Sequence, residues 1–126
     1  MSRALLDTSV VIAIAQGEEI PLPDEVAIST VTLCGLHHGV LAADESTRPA
    51  RLATLVQVER TMSAIPVDAQ VAPHYGKLVS EVRRRTGRKL RTADALIAAT
   101  AISHGLSLLT RDSDFDGIEL DWVKLV

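Results

Sequence analysis

The sequence is poor in aromatic residues and in cysteine. Aromatic residues make up only 2% of the 126 residues, namely Tyr75, Phe115 and Trp122. The core must therefore be built from aliphatic side chains, and binding single-stranded nucleic acid by stacking bases on aromatic rings is disfavoured. The single cysteine, Cys34, excludes an internal disulfide and is typical of a reducing compartment.

The sequence also lacks a long apolar segment that could enter a membrane. Its longest uncharged apolar stretch, residues 95–102 with one threonine, is far shorter than the ~20 residues that span a bilayer. The N-terminal segment resembles a signal peptide because an arginine precedes an apolar run, but Asp7 interrupts that run. These absences predict a cytoplasmic protein that does not bind membranes.

Length and composition predict one globular domain. A chain of 126 residues with 47% hydrophobic and 23% charged residues is ordinary for a single domain with a core. The net charge of −3 by itself argues weakly against a nucleic-acid partner, but six of the thirteen basic residues lie within residues 83–91. Such a cluster can neutralise phosphates locally on an acidic protein. A solvated helix end, where cations favour the helix dipole, explains it equally well.

Short apolar strands and segments of helical spacing succeed one another along the chain. We predict strands at residues 3–7, 26–29, 65–67, 106–110 and 122–125, and helices at 8–16, 30–43, 49–64, 69–85 and 93–104. The predicted N-terminal caps are Thr8-Ser9 for the first of these helices, Ser29 or Thr30 for the second and Thr92 for the last. This order predicts an α/β sandwich in which helices flank a mostly parallel sheet of about five short strands.

Four aspartates stand where the edges of that sheet are expected. Asp7 follows the first strand, Asp112 and Asp114 follow a late strand, and Asp94 lies in the first turn of a helix. An acid beside apolar residues is costly unless something pairs with it, and sheets of this kind bind ligands at the carboxyl ends of their strands. Convergence of the acids on a hard metal ion is the economical explanation.

Each of these aspartates also has an ordinary structural explanation. An acid in the first turn of a helix suits the helix dipole, which accounts for Asp94, and aspartate is common in turns, which accounts for Asp112 and Asp114. Asp7 has the weakest such explanation because apolar residues lie on both sides of it. Considered together, the four positions favour a Mg²⁺-dependent phosphodiesterase.

Four segments of the chain, in this order, resemble the PIN domains of VapC-type toxins from bacterial toxin–antitoxin pairs. They are LLDTSVVIA from residue 5, STVTLCGLHHGV from 29, GRKLRTADALIAATAISHG from 87 and LLTRDSDF from 108. The resemblance runs from end to end. It implies a single PIN domain over residues 1–126 with a PIN-like three-layer α/β sandwich.

The resemblance implies an endoribonuclease that depends on Mg²⁺ or Mn²⁺ and hydrolyses RNA phosphodiester bonds with a metal-activated water. By this likeness Asp7 and Asp94 are the principal metal ligands, Asp112 completes the site and Asp114 is a weaker ligand. Such chemistry is coherent, because Mg²⁺ prefers carboxylate oxygens and retained waters, and it activates a bound water.

Supporting residues and partners follow from the same likeness and from the basic cluster. Ser9 and Thr110 look like hydroxyls that orient the carboxylates, and Arg84, Arg85 and Lys89 are the candidate RNA contacts of the basic cluster. The family likeness suggests a homodimer that binds a cognate VapB-type antitoxin. That antitoxin would cover the acidic pocket with a basic side chain.

The sequence departs from the family pattern at Gly35. The family's second motif has the form T-L-x-E-L-x-x-G-V, whereas residues 32–40 read TLCGLHHGV, with Gly35 at the position of the glutamate. The change removes one acid of the expected quartet, and glycine in a helix interior costs ~1 kcal/mol relative to alanine. We therefore expect impaired catalysis, as the result of an inactivating substitution or of decay.

Two other functions agree with parts of the pattern. A PIN module that has lost catalysis and only binds antitoxin or RNA agrees with Gly35. A phospho-acceptor receiver domain agrees with the length, the α/β alternation and the Asp after the first strand. That domain also needs an acceptor Asp after a middle strand and a Lys after a late one, but residues 48–62 contain no Asp and Thr110 is followed by Arg111. Mn²⁺ binding by Asp7 and Asp94 would distinguish an active site from a binding module.

Overall fold

A parallel sheet flanked by helices forms the centre of the structure, a computed structural model that describes residues 3–112, 115 and 122–126. Within these residues the strands are β1 (Arg3–Leu6), β2 (Glu25–Ser29), β3 (Ser63–Ile65), β4 (Ser107–Thr110) and β5 (Val123–Leu125). The helices are α1 (Thr8–Ala15), α2 (Thr30–Ala42), α3 (Arg48–Thr61), α4 (Ala72–Thr86) and α5 (Thr92–Ser103). None of the helices in these ranges is long and apolar enough to cross a membrane.

The strand order creates a crevice beside the central strand. The order is β3-β2-β1-β4-β5, and each neighbouring pair is parallel. The chain adds β2 and β3 on one side of β1 and then returns to add β4 and β5 on the other side. In open parallel sheets, ligands bind outside the carboxyl ends of the strands where the order reverses, which here is between β1 and β4. The predicted α/β fold with a largely parallel sheet is confirmed.

Both faces of the sheet are buried by aliphatic side chains. Leu5 and Leu108 pack with α4 and α5 on one face, while Leu6 and Leu109 pack with α1 and α3 on the other. Because neighbouring residues of a strand point to opposite faces, the central strands read as continuous apolar runs rather than as alternating ones. Among the described residues, Phe115 is the buried aromatic residue of this core, and Tyr75 and Trp122 pack against it half-buried.

The main errors of the sequence prediction lie on either side of β3. The predicted third helix extended to residue 64, but α3 ends at Thr61 and the next residues pair with β2, with Ser63 opposite Ala27. Pairing with β2 decides the conformation of this three-residue strand, which has no recognisable period of its own. The fourth helix begins at Ala72 rather than 69 because Asp68 Oδ1 accepts the backbone N–H groups of residues 70 and 71 in a turn.

Two of the three predicted helix caps are displaced by one residue. Ser29 caps α2 as predicted, because its Oγ accepts the backbone N–H of Val31 at 3.1 Å. Thr8 and Thr92 are instead the first residues inside α1 and α5, and the residues before them, Asp7 and Arg91, have the extended backbone of an N-cap. The side chains of Asp7 and Arg91 make no capping hydrogen bond to their helices. Both side chains make other contacts at the edge of the sheet.

Two glycines, one inside α4 and one directly after it, test this fold because alanine substitutions there should change the free energy of unfolding in opposite directions. Gly87, with φ +71°, ends α4 in the left-handed conformation, so Gly87→Ala should lower the free energy of unfolding by ~1 kcal/mol. Gly76 lies inside the same helix with nothing within 4 Å of an added Cβ, so Gly76→Ala should raise it by ~0.5–1 kcal/mol. Urea unfolding measures both changes in the free energy of unfolding, provided that its dependence on urea concentration has the same slope in all variants. If Gly87→Ala stabilised the protein, Gly87 would not have the left-handed conformation that ends α4 here.

Candidate active site

Asp7 is a buried acid at the carboxyl end of β1. Its residue is 2% exposed, and its backbone N–H donates to the carbonyl of Leu109 at 2.9 Å, which continues the β1–β4 pairing. Ser9 Oγ and Thr110 Oγ1 both donate to Asp7 Oδ2, each at 2.8 Å. Among the described residues, side-chain hydrogen bonds to this carboxylate use Oδ2, which leaves Oδ1 as the oxygen for a further ligand.

The two hydroxyls that hold Asp7 are themselves oriented by the backbone that follows β4. The N–H of Arg111 donates to Ser9 Oγ at 3.0 Å, and the N–H of Asp112 donates to Thr110 Oγ1 at 2.9 Å. Each hydroxyl therefore accepts from the backbone and donates to the carboxylate. One consequence is that a single hydroxyl group separates the carboxylate of Asp7 from the backbone of Asp112.

Asp94 and Asp112 converge on one positive charge. Arg91 Nε lies 3.3 Å from Asp94 Oδ2, and Arg91 Nη2 lies 3.6 Å from Asp112 Oδ2. The two acids come from different elements, the first turn of α5 and the segment after β4, yet their side chains are only 14% and 15% exposed. The arginine is 73% exposed and approaches them from the solvent side.

Helix α2 is joined to the start of α1 by a pair of threonine hydroxyls. Thr8 Oγ1 and Thr32 Oγ1 are 2.9 Å apart, and Thr32 is fully buried. Gly35 follows Thr32 by three residues, so it lies on the same face of α2 and one turn further along. A Cβ added at Gly35 would meet nothing within 4 Å. Position 35, where the resemblance implies a glutamate, is therefore open around the place of a Cβ atom.

The sequence did not indicate that the hydroxyls of Thr8 and Thr32 meet, or that Arg91 contacts the acids. The two threonines stand next to recognised motifs, in DTS and in VTL, but no local pattern indicates that their hydroxyls meet. Arg91 was assigned to the basic cluster on the basis of charge alone. In both cases the contact joins residues of separate elements or of a loop, and only the folded chain brings them together.

The donor atoms of this site suit a hard divalent cation, although they form no complete cage. No group of three Asp, Glu, His or Cys side chains that could hold a metal ion occurs among residues 3–112, 115 and 122–126. The structure brings Asp94 and Asp112 to one guanidinium and places the carboxylate of Asp7 one hydroxyl group away from the backbone of Asp112, whereas Asp114 lies outside the described residues. Since Mg²⁺ is commonly held by one or two carboxylates and retained waters, these residues fit such an ion.

The predicted RNA contacts lie along the end of α4 and the loop that leads to Arg91. Arg84 and Arg85 are exposed, and both pair with Glu81 of the same helix, at 2.9 and 3.3 Å. The hydrogen bond from Arg84, together with the charges of Arg84, Arg85 and Lys77, lowers the pKa of Glu81 below its ordinary value. Lys89 is exposed in the loop between α4 and α5. A basic surface therefore extends from α4 toward the acids, with part of its charge balanced by Glu81.

Comparison with known proteins gives a consistent result. The PIN domain family matches residues 4–119. Ribonuclease VapC5 of Mycobacterium tuberculosis is 40% identical over 122 residues, covering 94% of this chain and 89% of that protein. The tRNA(fMet)-specific endonuclease VapC of Shigella flexneri is 31% identical over 123 residues, covering 90% of this chain and 89% of that protein.

A solved structure agrees with these relatives. It is the crystal structure of VapBC-5 from Mycobacterium tuberculosis, a member of the VapBC family of toxin–antitoxin systems. It has a TM-score of 0.81 and 39% identity, and the match covers 100% of this chain and 98% of the other. The resemblance inferred from the four sequence segments is thereby confirmed, and the chain belongs to the PIN-domain family, among the VapC proteins.

Proposed function

We propose that this chain is the ribonuclease toxin of a VapBC-type toxin–antitoxin pair, with a Mg²⁺ site at the carboxyl ends of β1 and β4. The observation that carries the proposal is that Asp94 and Asp112 approach one guanidinium, with the backbone of Asp112 one hydroxyl group away from the buried carboxylate of Asp7. It occurs at the reversal of strand order, where sheets of this kind bind their ligands. Two relatives named as nucleases, at 40% and 31% identity, support the same activity.

The residues of the site divide the work of phosphodiester hydrolysis between them. A divalent ion bound here would supply an activated water and would offset the negative charge that develops on the phosphate. Asp94 and Asp112 would hold that ion. Asp7, immobilised through Oδ2 by two hydroxyl donors, would offer Oδ1 to a water held by that ion or as the acceptor of the proton from the attacking water.

Gly35 makes the site of this chain incomplete. A glutamate at position 35 would add a negative charge on the face of α2 that carries Thr32, and the open space around the glycine Cα admits it. Without that charge the site attracts a divalent cation less strongly and positions water less well. We therefore infer an enzyme of low activity, and Gly35 also supports the second candidate function, a PIN module that only binds antitoxin or RNA.

The partners we propose are RNA and a VapB-type antitoxin. The exposed basic surface of α4 and the loop after it supports RNA as the substrate, because phosphates are contacted mainly by lysine and arginine. The VapBC-5 structure, a toxin–antitoxin family member at 39% identity, supports an antitoxin partner. A basic antitoxin side chain above the acids, and a homodimer of this chain, complete the proposed assembly.

The first prediction from the proposed function is that Gly35→Glu raises Mg²⁺-dependent RNA cleavage by ~10²–10⁴, the usual contribution of one positioned catalytic group. Gly35→Gln has nearly the same shape without the charge, and Gly35→Ala restores helix propensity alone. Neither control should raise cleavage. Initial rates on total RNA at matched Mg²⁺ are the measurement. If the unaltered chain cleaves as fast as the glutamate variant, position 35 does not belong to the site.

The second prediction concerns the metal ligands. In the Gly35→Glu protein, Asp94→Asn and Asp112→Asn should each weaken Mn²⁺ binding by at least tenfold, because each removes a charged oxygen ligand. Asp24→Asn is the matched control, since Asp24 is exposed just before β2, at the amino end of the strands. Calorimetric titration with Mn²⁺ measures all three. Unchanged affinity in both ligand variants would contradict this metal site.

The third prediction concerns the basic surface. Replacing Arg84, Arg85 and Lys89 with alanine should weaken RNA binding and flatten the dependence of log K on log salt by ~2, because fewer counterions are released. Glu81→Gln should do the opposite and tighten RNA binding, since it frees Arg84 and Arg85.

The matched control for that prediction is Glu59→Gln, which makes the same change of net charge on α3. Glu59 pairs with His37 rather than with the basic surface, so its removal should tighten RNA binding less than Glu81→Gln does. Fluorescence anisotropy of labelled RNA at several salt concentrations is the measurement. An unchanged salt slope in the triple variant would identify the cluster as a solvated helix end.

A further inference from the structure

Arg91 occupies the place between the two acids of the proposed metal site. It is the N-cap residue of α5, and its extended backbone, with φ −62° and ψ 144°, directs the chain into the helix from the loop. Its guanidinium contacts Asp94 at 3.3 Å and Asp112 at 3.6 Å, through two different nitrogens. A planar group with five N–H donors is suited to contacting two carboxylates at once.

We propose that Arg91 is a built-in counter-ion of the site that competes with the divalent cation for Asp94 and Asp112. The inference rests on the proposed function, because it assumes that these two acids hold the metal. From the charge pattern of the sequence, Arg91 was only one of the basic residues in 83–91. The structure gives it a contact that can regulate metal binding. Arg91 lowers the metal affinity of the free protein and must leave the acids when the ion binds.

Electrostatics gives the reason for the competition. Two carboxylates that are mostly buried and share one neighbouring group repel each other unless a cation lies between them. A guanidinium keeps its charge at every pH that a folded protein tolerates, so this cation is always present. A divalent ion at ~2.1 Å from the same oxygens would stand very close to that guanidinium, and the two positive charges would repel.

The exposure of Arg91 makes the exchange feasible. Its side chain is 73% exposed, so it can turn into solvent without breaking the core or α5. Gly35 shifts the competition toward the arginine. Loss of one negative charge weakens the attraction of the site for a doubly charged ion about twice as much as for a singly charged guanidinium, since Coulomb energy scales with the product of charges.

The test is Mn²⁺ binding to the free protein without RNA. Arg91→Gln should tighten Mn²⁺ binding by about tenfold, which corresponds to about 1.4 kcal/mol. Arg91→Lys, which keeps the charge, should stay within about threefold of the parent. Arg3→Gln is the matched control, because Arg3 is an exposed arginine paired with Glu25 at the amino end of β1, and the change of net charge is the same. Electron paramagnetic resonance of unbound Mn²⁺ measures the affinity of each protein.

The possible results separate this inference from the proposed function. If the parent and Arg91→Gln bind Mn²⁺ with equal affinity, the competition is overturned and the metal site is not affected. If Arg3→Gln gains as much Mn²⁺ affinity as Arg91→Gln, the gain is a general effect of charge, which also overturns the competition. Tighter Mn²⁺ binding by Arg91→Gln alone supports the inference. If, in addition, no variant cleaves RNA, Gly35→Glu included, the proposed function is overturned but the inference is not. Absence of Mn²⁺ binding in every protein overturns both.

A folding defect in Arg91→Gln would also be informative. The two acids would then repel without a counter-ion, and Mn²⁺ should restore the folded state, as followed by circular dichroism. Restoration by Mn²⁺ but not by the same ionic strength of NaCl supports the inference. A defect that Mn²⁺ does not repair overturns it.

Discussion

The carboxylate of Asp7 joins the two halves of the sheet at the point where a ligand would bind. It follows the central strand and accepts hydrogen bonds from Ser9 on one side and Thr110 on the other. Because those hydroxyls accept the N–H groups of residues 111 and 112, the segment after β4 is fixed against the start of α1. Hydrogen bonds to a charged group are about twice as strong as neutral ones, which makes this buried network a firm support for the site.

Charge balance is the second constraint on the site. Two mostly buried acids at the mouth of the crevice require a positive partner, and the chain supplies one in Arg91. In a PIN-domain protein with a glutamate at position 35, a further negative charge would favour a divalent cation more strongly. With Gly35, Arg91 and the proposed metal ion would be closer competitors. In the proposed function, Gly35 and Arg91 would therefore both lower the affinity of the site for a divalent cation.

The loop between α4 and α5 links the basic surface to the acids. Gly87 ends α4 in a left-handed turn, Lys89 remains exposed, and Arg91 reaches the crevice four residues beyond the glycine. On α4 itself, Glu81 balances Arg84 and Arg85 and restrains the positive field of that surface. In the proposed function, RNA binding and metal binding would thus both depend on neighbouring charges of one short segment.

The sequence by itself determined the class of fold, the order of the elements and the family. Apolar strands and helical periods are local properties, and the motifs around Asp7, Gly35, Asp94 and Asp112 lie within short segments. The tertiary structure decided what those residues touch. It placed β3 earlier than expected because pairing with β2 outweighs the local pattern, and it put Arg91 between Asp94 and Asp112 and the hydroxyl of Thr32 against Thr8. Such contacts depend on how separate elements pack, and no periodicity or spacing in the chain encodes them directly.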